Sequence, residues 1–383
     1  MTQIPFIFHD MQDSQIFALA QAAGRAGFAV HGLVQSTKEA PWVTQSRYIN
    51  SITELPSLGD VNMGLYALNL KKENVSGIFV PVVDDIADLL AEYAPLLRKN
   101  GLSFLTVHSS QIEMSNTFAL QQWQGKLKIP RTTYCTSNEL IETALEIGFP
   151  VILKSVRDGF VTFHHQEAMQ TWLNNAVHHH YPLQLHQRVQ QYIQGETNNM
   201  ATALLLFDEQ SRPVRGFTAR RIRVAQTNYG PFGETLAAKA EWLPDLYEAC
   251  VELLTALGWI GFAEVECKQD QHGDWQLIEI NPRLSGWSCL AEVDGAGFLQ
   301  AYYHLNTEGS KLEPTCLQRS NTSYSRMVAS SRHQPDWKNF KYSTYKSMFQ
   351  HKDNMCFGAW DKWDKTANRA WLKLMLKRFL TKT

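Results

Sequence analysis

Several features that mark large classes of protein are missing from this sequence of 383 residues. No stretch approaches the roughly 18 consecutive apolar residues of a membrane-spanning helix, so we expect no stable membrane insertion. Positive and negative charges nearly balance, with a formal net charge of −1, and no clearly basic domain or stripe offers a footprint for nucleic acid. We therefore expect neither a membrane-inserted protein nor a nucleic-acid-binding protein.

Cysteine is scarce and scattered. The six cysteines form no C-x-x-C pair, and no basic-then-apolar signal segment opens the sequence, so we expect a reduced, cytoplasmic protein. The histidines are more clustered, but no cysteine lies close to them in the sequence, and adjacent histidines in an extended segment point to opposite sides. We interpret them as polar loop residues rather than zinc ligands: His164, His165, His178, His179, His180 and His186.

The beginning of the chain alternates short apolar strands with helical segments. The pattern predicts strands at residues 4–8, 28–34, 77–83 and 103–107, with helices near residues 15–26 and 84–97, and a further helix near residues 115–123 follows them. This alternation is typical of a doubly wound α/β domain, which we place at residues 1–110. The turn after the first strand lacks the G-x-G-x-x-G pattern that brings a backbone close to a pyrophosphate, so a dinucleotide site is not expected there.

What the sequence does contain is a hairpin pattern, GFAEVECKQDQHGDWQLIEINPR, at residues 261–283. Apolar and polar residues alternate on both sides of His272-Gly273, a pair typical of a tight turn. If these two residues form the turn, Glu266 lies opposite Glu279, and Glu264 lies opposite Asn281. Two carboxylates then face each other, which is unfavourable unless a positive group lies between them.

The face that carries these carboxylates is suited to a divalent cation. Side chains alternate along a strand, so Glu279, Asn281 and Arg283 project together. Carboxylate and amide oxygens are ligands that Mg2+ prefers, and a guanidinium binds phosphate. Without a metal, we expect one of the opposed glutamates to have a raised pKa or to pair with Arg283 or another basic group. An ordinary charged hairpin face is the alternative interpretation.

The motif LIEINPR, preceded by a strand glutamate, resembles the metal-binding signature of the ATP-grasp superfamily, which includes D-alanine–D-alanine ligase, biotin carboxylase and the large chain of carbamoyl phosphate synthetase. The resemblance implies that Glu266, Glu279 and Asn281 hold Mg2+, or Mn2+ in its place, against the phosphates of ATP. It also implies that Arg283 contacts a phosphate or an acyl-phosphate intermediate. Glu264 is the fallback ligand if the turn is longer.

Other segments match the same family in the expected order. The strand PVILK ends in Lys154, which the resemblance assigns to the nucleotide phosphates, whereas a lone strand-end lysine is more commonly solvated. The segment RVQQYIQG resembles the hinge that holds adenine through its backbone, and Glu196 after it is a candidate ribose contact. The hinge residues are Gln190, Gln191, Tyr192 and Ile193.

A basic run follows in a predicted strand, VRGFTARRIRV. Strict alternation places Arg221 and Arg223 on one face. The resemblance implies that one or more of these arginines meets the γ-phosphate or an anionic substrate, so we take them with Arg283 as candidate catalytic residues. A solvated basic strand is the alternative. Residues 228–234 and 285–287 are the loops expected to border the substrate.

Two positions depart from the family pattern. Relatives commonly carry a glycine-rich phosphate loop after the strand lysine, but here Gly159 stands alone, so capping of the phosphates would fall to Arg157. Asn116 occupies the position where many relatives have a phosphate-contacting lysine. These departures support an alternative function without turnover.

The implied fold class is α/β, in the α+β ATP-grasp form. Its expected parts are an N-terminal doubly wound α/β domain (residues 1–110), a small lid subdomain (111–189), a large subdomain with the Mg-ATP site (190–308) and a C-terminal helical extension (309–383). The implied function is an ATP- and Mg2+-dependent ligase that joins a small-molecule carboxylate to an amine. The alternative is a nucleotide-binding protein without turnover that acts as a sensor or scaffold, and a homodimer is compatible with either.

The last segment, residues 360–380, has the pattern of an amphipathic helix. Acidic residues lie early and basic residues late, which suits the helix dipole. A basic amphipathic helix with tryptophan can lie on a membrane surface, but we expect this one to dock onto its own protein. Its apolar stripe comprises Trp360, Trp363, Ala367, Ala370, Trp371, Leu374 and Phe379.

Overall fold

The computed structural model describes residues 3–155, 159–178, 187–224, 235–309, 312–313, 315–325, 355–357, 361 and 363–380. Within these residues the strands form three sheets. The Asn228–Glu234 loop, Arg157, His179, His180, His186 and Trp360, all named in the sequence analysis, lie outside the described residues.

The N-terminal sheet is parallel, and its strand order is β3-β2-β1-β4-β5. Its strands are β1 (Phe6–Phe8), β2 (Val30–Val34), β3 (Ser51–Glu54), β4 (Gly77–Phe79) and β5 (Leu102–Ser103). Its helices are α1 (Ser14–Arg25), α2 (Pro41–Thr44), α3 (Met63–Lys72), α4 (Asp84–Glu92) and α5 (Ala94–Lys99). Both faces of the sheet carry buried apolar clusters, as expected for parallel strands covered on both sides. The predicted doubly wound domain is confirmed.

Two helical predictions in this half of the chain need correction. The helix expected at residues 84–97 is divided into α4 and α5, because Pro95 at the start of α5 has no N–H to continue a helix. The helix expected at residues 115–123 is replaced by α6 (Ser109–Met114) and a 3-10 helix (Ala119–Gln122). The Asn116 side-chain oxygen accepts hydrogen bonds from the backbone amides of Phe118 and Ala119 at 3.0 and 2.9 Å. These bonds cap the start of the 3-10 helix.

The small sheet is antiparallel, and its strand order is β6-β9-β7-β8. Its strands are β6 (Thr132–Cys135), β7 (Val151–Ser155), β8 (Gly159–Phe163) and β9 (Gln187–Gln191), and its helices are α7 (Leu140–Ile147) and α8 (Gln166–His178). One face, with Val151, Leu153 and Val189, forms a buried cluster with Leu140 of α7 and Met169 of α8. Because side chains alternate along a strand, Lys154 lies on the other face.

The large sheet has the strand order β14-β13-β10-β11-β12-β15-β16. Its strands are β10 (Met200–Phe207), β11 (Pro213–Val224), β12 (Thr235–Ala240), β13 (Gly261–Gln269), β14 (Trp275–Asn281), β15 (Ser323–Ser325) and β16 (Met355–Phe357). Its helices are α9 (Pro244–Ala256), α10 (Cys289–Val293) and α11 (Phe298–Thr307), and a 3-10 turn (Thr197–Asn199) precedes β10. One face packs on α9. The other shares a core with β1 and α1 of the N-terminal domain.

The C-terminal extension contributes strands as well as a helix. Strands β15 and β16 extend the large sheet, and α12 (Lys365–Leu380) packs against α2. Ala367, Ala370 and Trp371 of α12 join the core that α1 forms, which confirms the predicted docking of this helix. In the described part of the chain, no helix combines the length and the apolar character needed to cross a bilayer.

Candidate functional site

Strands β13 and β14 bring the predicted carboxylates together. Glu266 pairs with Glu279, and Glu264 pairs with Asn281, as the hairpin pattern predicts. Thr202 of β10 is the partner of Glu266 on the other side, so the same face continues into the centre of the sheet. Cross-strand partners point to the same side of a sheet. The glutamates therefore share one face.

The turn itself is wider than the predicted two-residue turn. The Asp270 amide donates to the Asp274 carbonyl at 3.0 Å, and Gly273 takes a φ of +87° in the loop between them. This three-residue loop shifts the pairing beside it by one residue, and a β-bulge at Ile278 restores the register before Glu279 is reached. The predicted turn is wrong, but the predicted pairing of Glu266 with Glu279 is right. The wider loop shifts the register by one residue, and the bulge shifts it back by one residue.

Glu266 is the more deeply desolvated member of the pair. Burial raises the pKa of Glu266 to about 7, the Arg221 charge opposes this rise, and the carboxylates of Glu279 and Glu264 add to it. Arg221 of β11 forms an ion pair with Glu266. The expectation that one of the opposed glutamates has a basic partner is confirmed, and that partner is Arg221 rather than Arg283.

Glu279 has a different environment, because it is exposed to solvent in the cleft. Desolvation opposes its ionisation, but the charges of Lys154, Arg283 and Arg221 outweigh that effect and lower the pKa of Glu279. The two opposed carboxylates therefore differ in charge state near neutral pH. The lowered pKa favours the ionised form of Glu279, whereas burial favours the protonated form of Glu266.

Arg283 is held between two carboxylates. Its Nε donates to Asp84 Oδ1 at 2.7 Å, and its Nη1 donates to Glu264 Oε2 at 2.5 Å. Asp84 is the first residue of α4 in the N-terminal domain, so this contact joins that domain to the hairpin. Glu264 is buried, and its other oxygen, Oε1, has no hydrogen-bond partner among the described residues. The sequence pattern identified Asp84 only as a helix start.

Lys154 reaches the large sheet from the small one. Its Nζ donates to the carbonyl of Ile278, the bulge residue, at 3.2 Å. Burial lowers the pKa of Lys154 to about 8, and the Glu279 carboxylate opposes this fall. The bulge has a direct consequence for the site, because it frees a backbone acceptor of β14 to hold the lysine beside Glu279.

The three arginines of the basic run in β11 have different environments. Arg220 is bound to Glu241, with Nη2 and Oε1 3.0 Å apart, which makes it a structural residue. Arg221 faces the carboxylates. An extra residue, Ile222, interrupts the pairing with β12 before Arg223, so the strict alternation used to place Arg221 and Arg223 together does not hold. The Nε atom of Arg223 is buried without a hydrogen-bond partner in the described part of the chain.

The hinge segment is extended, and its main chain is fixed at several points. The amide of Gln191 donates to the Arg131 carbonyl at 2.8 Å, and the amide of Tyr192 donates to the Pro150 carbonyl at 3.1 Å. The carbonyl of Ile193 accepts Lys268 Nζ at 2.8 Å. These contacts hold the end of β9 at the junction between the two sheets.

Side chains around the hinge include one that the sequence analysis missed. Lys268 is almost fully buried and lies 5.0 Å from the centre of the Tyr192 ring. Burial lowers the pKa of Lys268 to about 8, and Glu196, which is exposed, opposes this fall. Gln190 is also buried, and its Nε2 has no partner among the described residues. The sequence does contain a signal for Lys268. It lies two residues after Glu266 in the same strand, so the two side chains share one face.

The loop after Arg283 packs against the N-terminal domain. A Cβ atom on Gly286 would lie 2.2 Å from Gln15 Oε1 of α1, so only glycine fits there. Ser285 and Trp287 are buried on either side of it. This part of the predicted substrate border is a domain contact in the structure.

The donor set of the hairpin face is compatible with a hard divalent cation. Among the described residues, no group of three or more His, Cys, Asp or Glu side chains is arranged to hold a metal by itself. Mg2+ is usually bound by one or two carboxylates together with substrate phosphates, however, and Glu266, Glu279 and the Asn281 amide provide such a partial set. Glu264 Oε1 is buried and has no hydrogen-bond partner among the described residues, so this face retains an acceptor that a cation could satisfy.

Comparisons with known proteins identify the fold. No protein-family model matches the chain, and no curated protein is similar to it in sequence. Biotin carboxylase from Campylobacter jejuni superposes with a TM-score of 0.63 at 15% identity, over 84% of this chain and 74% of that one. N5-carboxyaminoimidazole synthetase from Staphylococcus aureus gives 0.57 at 14% identity, over 82% and 79%. Phosphoribosylamine–glycine ligase from Thermotoga maritima gives 0.56 at 13% identity, over 82% and 77%.

These three solved structures are ATP-grasp enzymes. Each superposes on more than four fifths of the chain. The chain therefore has the ATP-grasp fold, and the resemblance carried by LIEINPR is confirmed at the level of the fold.

Proposed function

We propose that the protein is an ATP- and Mg2+-dependent ligase that activates a small-molecule carboxylate as an acyl phosphate for attack by an amine. The observation that supports this most directly is the meeting of Lys154 with the Glu266–Glu279 pair across the cleft between two sheets. This arrangement suits a metal-bound triphosphate. The carboxylates of the large sheet would balance the charge of the metal, and the cation of the small sheet would balance the charge of the phosphates.

The proposed roles follow from position and charge. Glu266, Glu279 and Asn281 would hold Mg2+, which when bound neutralises phosphate charge during transfer; Mn2+ has the same ligand preferences. Lys154 would bind the phosphates as a point charge. Adenine would lie against the hinge main chain, and Glu196 is the proposed ribose contact. Because transfer of a phosphoryl group needs positioning and charge stabilisation, no nucleophilic side chain is required.

Three arginines are proposed to act on the reacting groups. Arg283 is fixed by Asp84 and Glu264, so its position is set before any ligand arrives. Arg221 lies against Glu266 and would be freed in part when that carboxylate turns to a metal. Arg223 carries an unpartnered buried Nε atom, within the described part of the chain, that an anion could satisfy.

The structural neighbours support the ligand classes. The Campylobacter jejuni biotin carboxylase was determined as a β-γ-ATP complex, and the biotin carboxylase domain of Hydrogenobacter thermophilus 2-oxoglutarate carboxylase was determined as a dimer with MgADP, ADP and bicarbonate. We propose the same nucleotide and metal class here, and a homodimer as one form of assembly. The division into residues 1–110, 111–189, 190–308 and 309–383 stays a proposal.

The direct experiment is a screen for ADP release with pairs of carboxylates and amines in the presence of Mg2+. We expect release that depends on the acid, the amine and the metal together. Glu279→Gln tests the metal assignment, because it keeps the shape and one oxygen of the side chain but removes its charge, and it should release less ADP. Equal ADP release by Glu279→Gln and the wild-type protein would contradict the metal assignment.

A second candidate function is nucleotide binding without turnover. Asn116 supports it, because its side chain is used in the 3-10 turn that it starts and carries no charge for a phosphate. Binding of Mg-ATP with no ADP release for any pair in the screen would favour this sensor or scaffold function over the ligase.

A further inference from the structure

The small sheet contains a second pair of like charges that face each other. Lys154 of β7 is the cross-strand partner of Arg188 of β9. Directly opposed cations destabilise a strand pair unless an anion lies between them. The pair is therefore the positive counterpart of Glu266 and Glu279 on the large sheet.

Both cations lie on the cleft side of the small sheet. The opposite side is occupied by the apolar cluster that includes Leu153 and Val189, the residues next to Lys154 and Arg188 in sequence. Lys154 itself extends from the cleft side to the Ile278 carbonyl of the large sheet. Since cross-strand partners project to the same side, Arg188 faces the same cleft.

The large sheet does not compensate Arg188 by itself. Glu266 is paired with Arg221, and Glu264 is paired with Arg283. Among the described residues, no carboxylate lies within ion-pair distance of Arg188. The nearby Arg188 charge lowers the pKa of Lys154, in addition to the larger effect of burial.

The next side chain of β9 on the same face is Gln190. It is 2% exposed, and its Nε2 atom has no hydrogen-bond partner in the part of the chain that the structure describes. An unsatisfied buried donor beside an uncompensated guanidinium indicates a missing acceptor, because buried polar groups are normally paired. Arg188 and Gln190, which share one face of β9, therefore both face a place where an acceptor is missing among the described residues.

We propose that Arg188 is a nucleotide-binding residue that contacts the phosphates of ATP together with Lys154. This inference rests on the proposed function and adds a residue to its site. A guanidinium presents several donors in a plane and can bind two phosphate oxygens at once, whereas Lys154 supplies a point charge. In this chain, Arg188 takes over part of the phosphate binding for which a glycine-rich loop would supply backbone N–H groups.

The test is calorimetric titration of the full chain with Mg-ATP and, separately, with adenosine, which has no phosphate. Arg188→Met should weaken Mg-ATP binding about tenfold to hundredfold, the range expected for one charge-assisted contact, and leave adenosine binding unchanged. Arg188→Lys keeps the positive charge but lacks the planar set of guanidinium donors, so its loss of Mg-ATP affinity should be intermediate.

Arg131→Met is the matched control. Arg131 is exposed and directly precedes Thr132, the cross-strand partner of Gln190, so its side chain points away from the cleft. It should bind Mg-ATP as the wild-type protein does. Wild-type affinity in Arg188→Met, with a loss in Lys154→Met, would overturn the inference and leave the proposed function standing. A wild-type protein that binds no Mg-ATP would overturn both.

Discussion

Glu266 and Glu279 show how one side-chain type acquires two properties on a single sheet face. Glu266 is desolvated beside Arg221, and burial dominates, so its pKa rises to about 7. Glu279 is exposed and near Lys154 and Arg283, and its pKa falls. A metal that binds between them must displace the Glu266 proton, so metal binding and proton release are linked.

The first prediction is a bell-shaped dependence of Mg-ATP affinity on pH. Binding needs Glu266 without its proton and Lys154 with its proton, and their pKa values are about 7 and about 8. Affinity should therefore rise through pH 7 and fall above pH 8. Titration calorimetry between about pH 6 and pH 9 measures it. Lys154→Arg, which stays charged throughout, should lose only the basic limb, and an unchanged basic limb in that variant would contradict the assignment of Lys154.

The second prediction concerns stability without ligands. The folded-state pKa of Glu266 is raised from 4.5 to about 7, so between these values the folded chain binds more protons than the unfolded chain. The free energy of unfolding should therefore fall as pH rises through this window, by on the order of 1–3 kcal/mol. Urea unfolding at several pH values measures the slope. Glu266→Gln should lack this part of the slope, and an identical slope in both proteins would show that Glu266 titrates normally.

At the scale of single residues, sequence periodicity predicted only part of the site. The opposition of Glu266 and Glu279 was predictable, because the period of two in a strand is local. The Arg221 ion pair was not, because it needs β11 to lie two strands away from β13 and depends on which face β11 presents. Lys268 and Arg188 were missed because a single cation in a strand is more often a solvated charge.

Among the elements, the hairpin shows how local errors can leave a long-range pairing intact. The wider turn at Asp270–Asp274 would by itself have placed Glu279 out of register with Glu266. The bulge at Ile278 corrects the register and also provides the carbonyl that Lys154 binds. A bulge has no reliable sequence signature, so this link between turn, register and site was visible only in the structure.

The C-terminal helix α12 is anchored by a buried acid just before its first turn. Asp364 is 0% exposed and accepts Gln21 Nε2 at 2.9 Å, the Arg47 amide at 3.3 Å and the Ser46 hydroxyl. These partners come from α1 and from the segment after α2. The amphipathic pattern predicted that the helix docks, but it did not identify the acid that fixes where it docks.

The third prediction tests this anchor. Asp364→Ala leaves three donors without their acceptor, and each unsatisfied buried donor costs about 1–3 kcal/mol, so we expect a loss of about 3 kcal/mol or more in the free energy of unfolding. Urea unfolding measures the loss, and faster amide exchange in α12 would locate it. Lys365→Ala is the control, because Lys365 is exposed and adjacent. Equal stability of the two variants would show that the anchor is dispensable.

For the whole molecule, polar contacts connect the N-terminal domain, the small sheet and the large sheet. Arg283, which follows β14, is paired with Asp84 of the N-terminal domain. The hydroxyl of Tyr302 in α11 donates to the Phe79 carbonyl of β4 at 3.0 Å, and Lys154 joins the small sheet to the large one. The N-terminal sheet was predictable from its alternation of strands and helices. The order of the large sheet was not, because β15 arrives from a tail with no recognisable pattern and pairs with β12, and β16 then pairs with β15 at the edge of the sheet.

The last prediction follows from this division of the site between sheets. The carboxylates that would hold Mg2+ belong to the large sheet, whereas Lys154 belongs to the small sheet, so only a ligand with both metal and phosphates bridges the cleft. Mg2+ and ATP together should therefore stabilise the protein by more than the sum of their separate effects. The whole stabilisation should be about 2.7 kcal/mol when the concentration of free Mg-ATP is a hundred times its Kd.

Thermal and urea unfolding with Mg2+, with ATP and with both ligands measure this excess. Glu279→Gln should lose most of the excess while it keeps the small stabilisation by ATP alone, because Lys154 and the hinge are unchanged. Lys239→Met is a suitable control, since Lys239 is an exposed cation of β12 on the same sheet, and it should keep the full excess. If Mg2+ and ATP stabilised the wild-type protein additively, the two ligands would bind independently, and a shared site between the sheets would be ruled out.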